Sequence, residues 1–171
     1  MIETGGDVEW QSPIQDGTSN MTGSTVFDLD GDGDYEVIYR DETHFRVFRG
    51  SDGDVLFEDA LSSFTANEGV VVADVDRDGR AEIVVSSDRA IDVSGIPQRT
   101  YGLRVYGDAN DNWIGCRPIW NQHAYHSGNV RDDGTVPPQM APSWLDHNTF
   151  RANVAPEGGV FDAADLSASR V

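Results

Sequence analysis

An acidic loop that occurs twice constrains the fold of this chain more than any other feature. The stretch Phe27-Asp28-Leu29-Asp30-Gly31-Asp32-Gly33-Asp34-Tyr35-Glu36-Val37-Ile38 aligns with Ala73-Asp74-Val75-Asp76-Arg77-Asp78-Gly79-Arg80-Ala81-Glu82-Ile83-Val84, at an offset of 46 residues. A period in the forties that contains several short β-forming runs predicts one four-stranded propeller blade per repeat.

Each loop carries the chemistry of a hard cation site. Calcium takes about six to eight oxygens at roughly 2.3 to 2.6 Å, and a short loop supplies them from alternate residues whose side chains turn inward. Asp28, Asp30, Asp32 and Glu36 stand at alternating loop positions in the first copy, with the Asp34 carbonyl between them. Asp74, Asp76, Asp78 and Glu82, with the Arg80 carbonyl, repeat the pattern. Gly33 and Gly79 fall where the chain must turn sharply with a positive φ. An EF-hand opens in the same way but needs flanking helices and a later glutamate; Tyr39 and Val85 occupy that later position here. The flanks, Thr25-Val26-Phe27 and Val37-Ile38-Tyr39, are β formers, so the loop is expected inside a β-hairpin. Two calcium ions are the expected cofactor, because so many like charges in each short loop would be costly without a cation.

The first repeat reads as strands near Ser24 to Asp28, Glu36 to Arg40, Phe45 to Arg49 and Val55 to Glu58, with Asp52-Gly53 suited to a tight hairpin. The second reads as Val70 to Asp74, Glu82 to Ser86, Leu103 to Tyr106 and Trp113 to Cys116, with an insertion near Asp88 to Thr100 placed on a loop by Gly95 and Pro97. These runs divide the chain into an N-terminal strand or linker (1–22), two blades (23–68 and 69–116), an aromatic- and histidine-rich segment (117–154) and a tail (155–171). Val8 to Trp10 could add one strand to a further blade. The expected fold is all-β, with antiparallel four-stranded propeller-type blades in an incomplete propeller and an irregular C-terminal segment.

Composition narrows the function. With 30 acidic against 12 basic residues the formal charge is −18, which repels phosphate backbones and anionic membrane surfaces, so nucleic acid is excluded as a partner. The single cysteine, Cys116, rules out an internal disulfide and a thiolate metal cluster. No apolar run is long enough for a membrane span, and the first residues lack the pattern of an export signal.

The two loops and their flanking Val-Phe-Asp and Val-Ala-Asp strands resemble the FG-GAP or VCBS repeats of bacterial cell-surface and secreted proteins and of the integrin α propeller. The stretch Arg117-Pro118-Ile119-Trp120-Asn121-Gln122-His123-Ala124-Tyr125-His126 resembles the closing segment of such propellers in large multidomain bacterial proteins. The resemblance implies a calcium-stabilised propeller used for adhesion or for binding carbohydrate or protein, outside the cell or on its surface. Since a closed propeller takes about four to eight blades, it also implies self-association, further blades in a longer chain, or an open edge covered by Arg117 to Asn153.

Other residues offer weaker chemistry. His123 and His126, with Asp146 and His147, could hold a transition metal, although no third ligand is defined. Trp113, Trp120, Trp144, Tyr125 and Phe150 read chiefly as core; Trp120, Asn121, His123, His126 and Trp144 are the candidates for a ligand groove if exposed. Asp108, Asn110 and Asn112 alternate like calcium ligands but lack the glycine and the later acid, and Asn129 to Gly134 fares no better. No nucleophile elbow or phosphate loop is present, so the chain is read as noncatalytic. A lectin-like carbohydrate-binding module and part of a polysaccharide-degrading enzyme are the alternatives.

Overall fold

The computed structural model describes residues 6–17, 22–63, 69–88, 102–140, 142, 145 and 149–155. Among the described residues seven strands form two antiparallel sheets. β1 (Thr25–Phe27), β2 (Glu36–Arg40), β3 (His44–Arg49) and β4 (Val55–Ala60) make a four-stranded meander in that order. β5 (Val71–Ala73), β6 (Glu82–Ser87) and β7 (Gly102–Tyr106) make a three-stranded one. The fold is therefore all-β, built from incomplete propeller-type blades.

Period-two alternation decides which residues are buried. In β2 the pattern alternates strictly, with Ile38 and Arg40 inside and Val37 and Tyr39 half-buried. Register places Thr25, Ile38 and Val47 across from one another on one face of the first sheet. All three are buried, as is Phe45 further along β3. That face packs on the second sheet through Val72, Ile83 and Val85, which share one core cluster with Phe27, Ile38, Phe45 and Val47. The ring of Tyr106 stacks on Phe45 at 4.9 Å and meets Phe57 edge-on at 5.4 Å. Beside it Arg104 pairs with Asp59 at 2.5 Å, and the Tyr106 hydroxyl donates to the same carboxylate at 2.8 Å. Burying each large apolar side chain of this interface contributes about 1.5 to 3 kcal/mol.

Arg40 completes the interface from within. Its guanidinium, buried at the end of β2, donates to the Ser86 carbonyl and to the Ser63 hydroxyl. Burial pulls its pKa down to about 10, while nearby Asp88 and Asp41 oppose the shift. It stays charged at neutral pH.

Repeat symmetry fails at the fourth strand of the second sheet. The sequence predicts a strand over Trp113 to Cys116; the structure has none there, and the segment instead runs across the two acidic loops. Its backbone groups bond to Leu29 and Ala81. The insertion predicted near Asp88 to Thr100 falls almost wholly outside the described residues. Val8 forms an isolated bridge rather than a strand, while Trp10 covers the outer face of the first sheet, 5.9 Å from Phe48, with its indole N–H on the Gly50 carbonyl at 2.7 Å.

The C-terminal segment is irregular and ties both inner strands together. Thr25 of β1 donates its hydroxyl to the Arg151 carbonyl at 2.5 Å, and Asn153 donates its amide to the Val72 carbonyl of β5 at 2.9 Å. Tyr125, fully buried, donates to Asn153 at 3.0 Å and stacks on Trp120 at 4.7 Å. The Arg151 guanidinium lies against Gly23 and Gly69, two glycines at equivalent repeat positions, where a Cβ would displace it.

Candidate metal centre

Both acidic loops join the first strand of a sheet to its second. β1 and β2, and likewise β5 and β6, are held in register to the edge of the loop, where Phe27 pairs with Glu36 and Ala73 with Glu82. The sheets thereby fix the first and last acids of each loop, and the middle acids project into solvent. Asp28, Glu36, Asp74 and Glu82 are buried; Asp30, Asp32, Asp76 and Asp78 are exposed.

Local hydrogen bonds fold each loop around its carboxylates. Asp28 accepts from the backbone N–H of Gly31 at 2.7 Å through one oxygen and of Gly33 at 3.1 Å through the other. Asp30 accepts from Asp32 N–H at 3.2 Å, and Asp32 from Asp34 N–H at 2.8 Å. Glu36 reaches back to Leu29 N–H at 2.8 Å. In the second loop the same bonds run from Gly79 to Asp74 (3.2 Å), Asp78 to Asp76 (3.1 Å), Arg80 to Asp78 (2.8 Å) and Val75 to Glu82 (2.8 Å). Gly33 at φ 92° and Gly79 at φ 90° take the left-handed turn expected of them.

One oxygen in each of Asp28, Asp30 and Asp32 lies within 4.8 Å of the others, and Asp74, Asp76 and Asp78 converge in the same way. Both triads could hold a metal ion, and the donor set is all carboxylate oxygen, which suits calcium or magnesium over softer metals. An observation of the second loop tests the fit. Asp74 Oδ1 is buried and has no hydrogen-bond partner, although its residue is only 8% exposed. The equivalent oxygen of Asp28 is satisfied by Gly31; in the second loop that position is Arg77, with φ 65°. A buried carboxylate oxygen without a donor costs about 1 to 3 kcal/mol, which a cation in the loop would offset.

Electrostatics point the same way. Burial pushes Glu36 up to about 7, and the neighbouring Asp30, Asp28 and Asp32 add to the rise against the opposing Leu29 hydrogen bond. Glu82 is raised for the same reasons. Cys116, near Asp74 and Glu82, is pushed by burial up to about 12, so its thiol is a poor nucleophile at neutral pH.

The remaining sequence candidates are placed as follows. Asp34 is exposed, with its N–H on Asp32, and the Arg80 side chain reaches the Trp113 carbonyl at 3.1 Å. Asp108 accepts three hydrogen bonds from Asn110 and Asn112, the arrangement of a capped turn. Asn129 is buried and bonds to Ala124 and His126. Among the described residues neither stretch forms a metal-ligand cluster, and His123 and His126 do not join one. Asn121 and His123 are exposed, Trp120 is half-buried on Tyr125, and the half-buried His126 takes a bond from Gly128 N–H. Trp144, Asp146 and His147 lie outside the described residues. Phe150, read from sequence as core, is 65% exposed, while the residues that follow it turn toward the sheets through Arg151 and Asn153. Sequence reasoning missed Ile114 as the residue between the loops; the lack of alternation around it was the available signal.

Two sheets of one repeat type, each opening with an acidic loop between its first two strands, define a β-repeat module of propeller kind. Residues 6–85 match the family of FG-GAP-like repeats. Among solved structures the chain is similar to the V. cholerae biofilm matrix protein Bap1, with 29% identity and a TM-score of 0.78 over 91% of this chain. The match spans 26% of that chain, about a quarter of its length. No curated protein matches. No helix among the described residues is long and apolar enough to cross a membrane.

Proposed function

We propose that this chain is a calcium-stabilised, noncatalytic β-repeat module that serves structure or adhesion in a larger surface or matrix assembly. Each loop takes one calcium ion, held in the first by Asp28, Asp30, Asp32, Glu36 and the Asp34 carbonyl, and in the second by Asp74, Asp76, Asp78, Glu82 and the Arg80 carbonyl. The unpartnered, buried Asp74 Oδ1 is the observation that carries this reading. An ion there supplies positive charge to a cluster that otherwise holds like charges together, and it pins the hairpin between two strands.

Likeness to a biofilm matrix protein supports an extracellular setting and a scaffolding or adhesive role. Sheets of this kind would be completed by further repeats or by other copies. Calorimetric titration of chelator-treated protein with calcium tests the metal assignment. Two ions should bind per chain, falling to one in Asp30→Asn/Asp32→Asn and in Asp76→Asn/Asp78→Asn. A wild-type titration without binding would sink it.

A further inference from the structure

The two acidic loops share a physical connection. Ile114 donates its N–H to the Leu29 carbonyl at 2.8 Å, and its own carbonyl accepts from Ala81 N–H at 3.0 Å. Leu29 N–H is the donor that holds Glu36, and Ala81 immediately precedes Glu82. Both peptide faces of one residue therefore join the ligand-bearing stretch of the first loop to that of the second. A second tether runs from Arg80 to the Trp113 carbonyl at 3.1 Å. The side chain adds a steric lock: Ile114 packs on the core cluster, and its Cγ2 lies so close over Gly31 that a Cβ there would have to displace it. Gly31 is the residue whose N–H satisfies Asp28.

We propose that Trp113 and Ile114 form a coupling bridge through which an ion in one loop orders the other, so that the two ions bind with positive cooperativity. This rests on the calcium reading above. A loop without its ion holds clustered carboxylates that repel one another, and its peptide groups fluctuate. Closing the first loop fixes the peptide groups on either side of Leu29, and through them the backbone on either side of Ile114, whose carbonyl holds Ala81. The second loop then has less conformational entropy to lose when it closes. By linkage the effect is the same in either direction, and coupling of this kind commonly amounts to a factor of about 5 or more.

The test uses the full chain and separates this inference from the one it rests on. In the Asp76→Asn/Asp78→Asn variant, calcium can fill only the first loop, and amide exchange is followed at Ala81, which lies in the second. Bridge coupling predicts that calcium slows Ala81 exchange there, and that each loop binds calcium about 5-fold more tightly when the other is intact. Ile114→Pro removes the donor to Leu29 and should make the two affinities independent. Ile114→Ala keeps both peptide groups and should retain the coupling. Binding of two ions with independent affinities and unchanged Ala81 exchange would overturn the bridge while leaving the calcium sites standing. No calcium binding by the wild-type chain would overturn both. If Ile114→Pro does not fold, the Ala81 measurement, made with Ile114 in place, decides the matter.

Discussion

Glu36 accepts a 2.8 Å hydrogen bond from the backbone N–H of Leu29, closing the first acidic loop across its own mouth. Glu82 and Val75 repeat the contact at 2.8 Å in the second. The hydrogen bond favours the ionised carboxylate, but burial and three neighbouring aspartates outweigh it, so Glu36 is held at about 7.

A pH dependence follows from that balance. Because the folded-state pKa of Glu36 lies above its ordinary value of 4.5, the folded chain binds this proton more tightly than the unfolded one. The associated stability is complete below about pH 4.5 and is lost as pH rises through about 7. In chelator, melting temperature should therefore fall between those values, whereas Glu36→Gln should flatten the fall. With excess calcium the fall should largely disappear, since the ion binds the ionised form, competes with the proton and brings the folded-state pKa back toward its ordinary value. Thermal melts at half-unit pH steps with chelator and with excess calcium would check both slopes.

Arg77 holds φ 65° where the first loop has Gly31 at φ 77°. A side chain in this left-handed conformation is strained, and glycine relieves it. Arg77→Gly should raise stability by roughly 0.5 to 1 kcal/mol in chelator. Urea unfolding of the metal-free protein would measure it.

Gly50 supports the first loop from the β3–β4 turn. A Cβ at Gly50 would collide with the backbone carbonyl of Tyr35, the residue before Glu36. Gly50→Ala should cost about 1 to 3 kcal/mol and weaken calcium binding at the first loop, while the second loop keeps most of its affinity. Denaturant unfolding paired with calorimetry would show whether the loss is local in this way.

The two sheets make opposite demands at equivalent positions. Val47 pairs with Ile38 as Val105 pairs with Val84, so Phe45 and Val47 correspond to Leu103 and Val105. The first pair is 0% and 4% exposed against the second sheet; the second pair is 73% and 55% exposed. Phe45→Ala should destabilise the chain by about 3 to 5 kcal/mol, whereas Leu103→Ala should fall within about 0.5 kcal/mol of neutral. Equal effects would contradict the assigned sheet packing.

Much of this architecture was legible in sequence because its signals are local. Asp28 and Asp74 open loops of one pattern, and the alternation in Glu36 to Arg40 marked a strand whose observed bounds are the same. The second blade was harder to read. Trp113 to Cys116 sits where repeat logic puts a fourth strand, but Ile114 finds its backbone partners in Leu29 and Ala81, both distant in sequence. The C-terminal segment reads as an irregular, aromatic- and histidine-rich stretch. Its contacts, Asn153 to Val72 and Arg151 to Gly23 and Gly69, come from tertiary packing and leave no periodic trace. The orphaned Asp74 oxygen was likewise invisible, since it depends on where the folded loop places its backbone donors.

Thermal melting at neutral pH, with excess calcium and then with chelator, tests the central claim most directly. An ion at about 100 times its dissociation constant stabilises the folded state by about 2.7 kcal/mol per site. For a chain of this length that corresponds to a rise of roughly 5 to 10 °C per loop. The account predicts a rise of this size for each loop, so that the total is about halved when Asp76 and Asp78 are both changed to Asn, and likewise for Asp30 and Asp32. A midpoint that calcium leaves unchanged would contradict it.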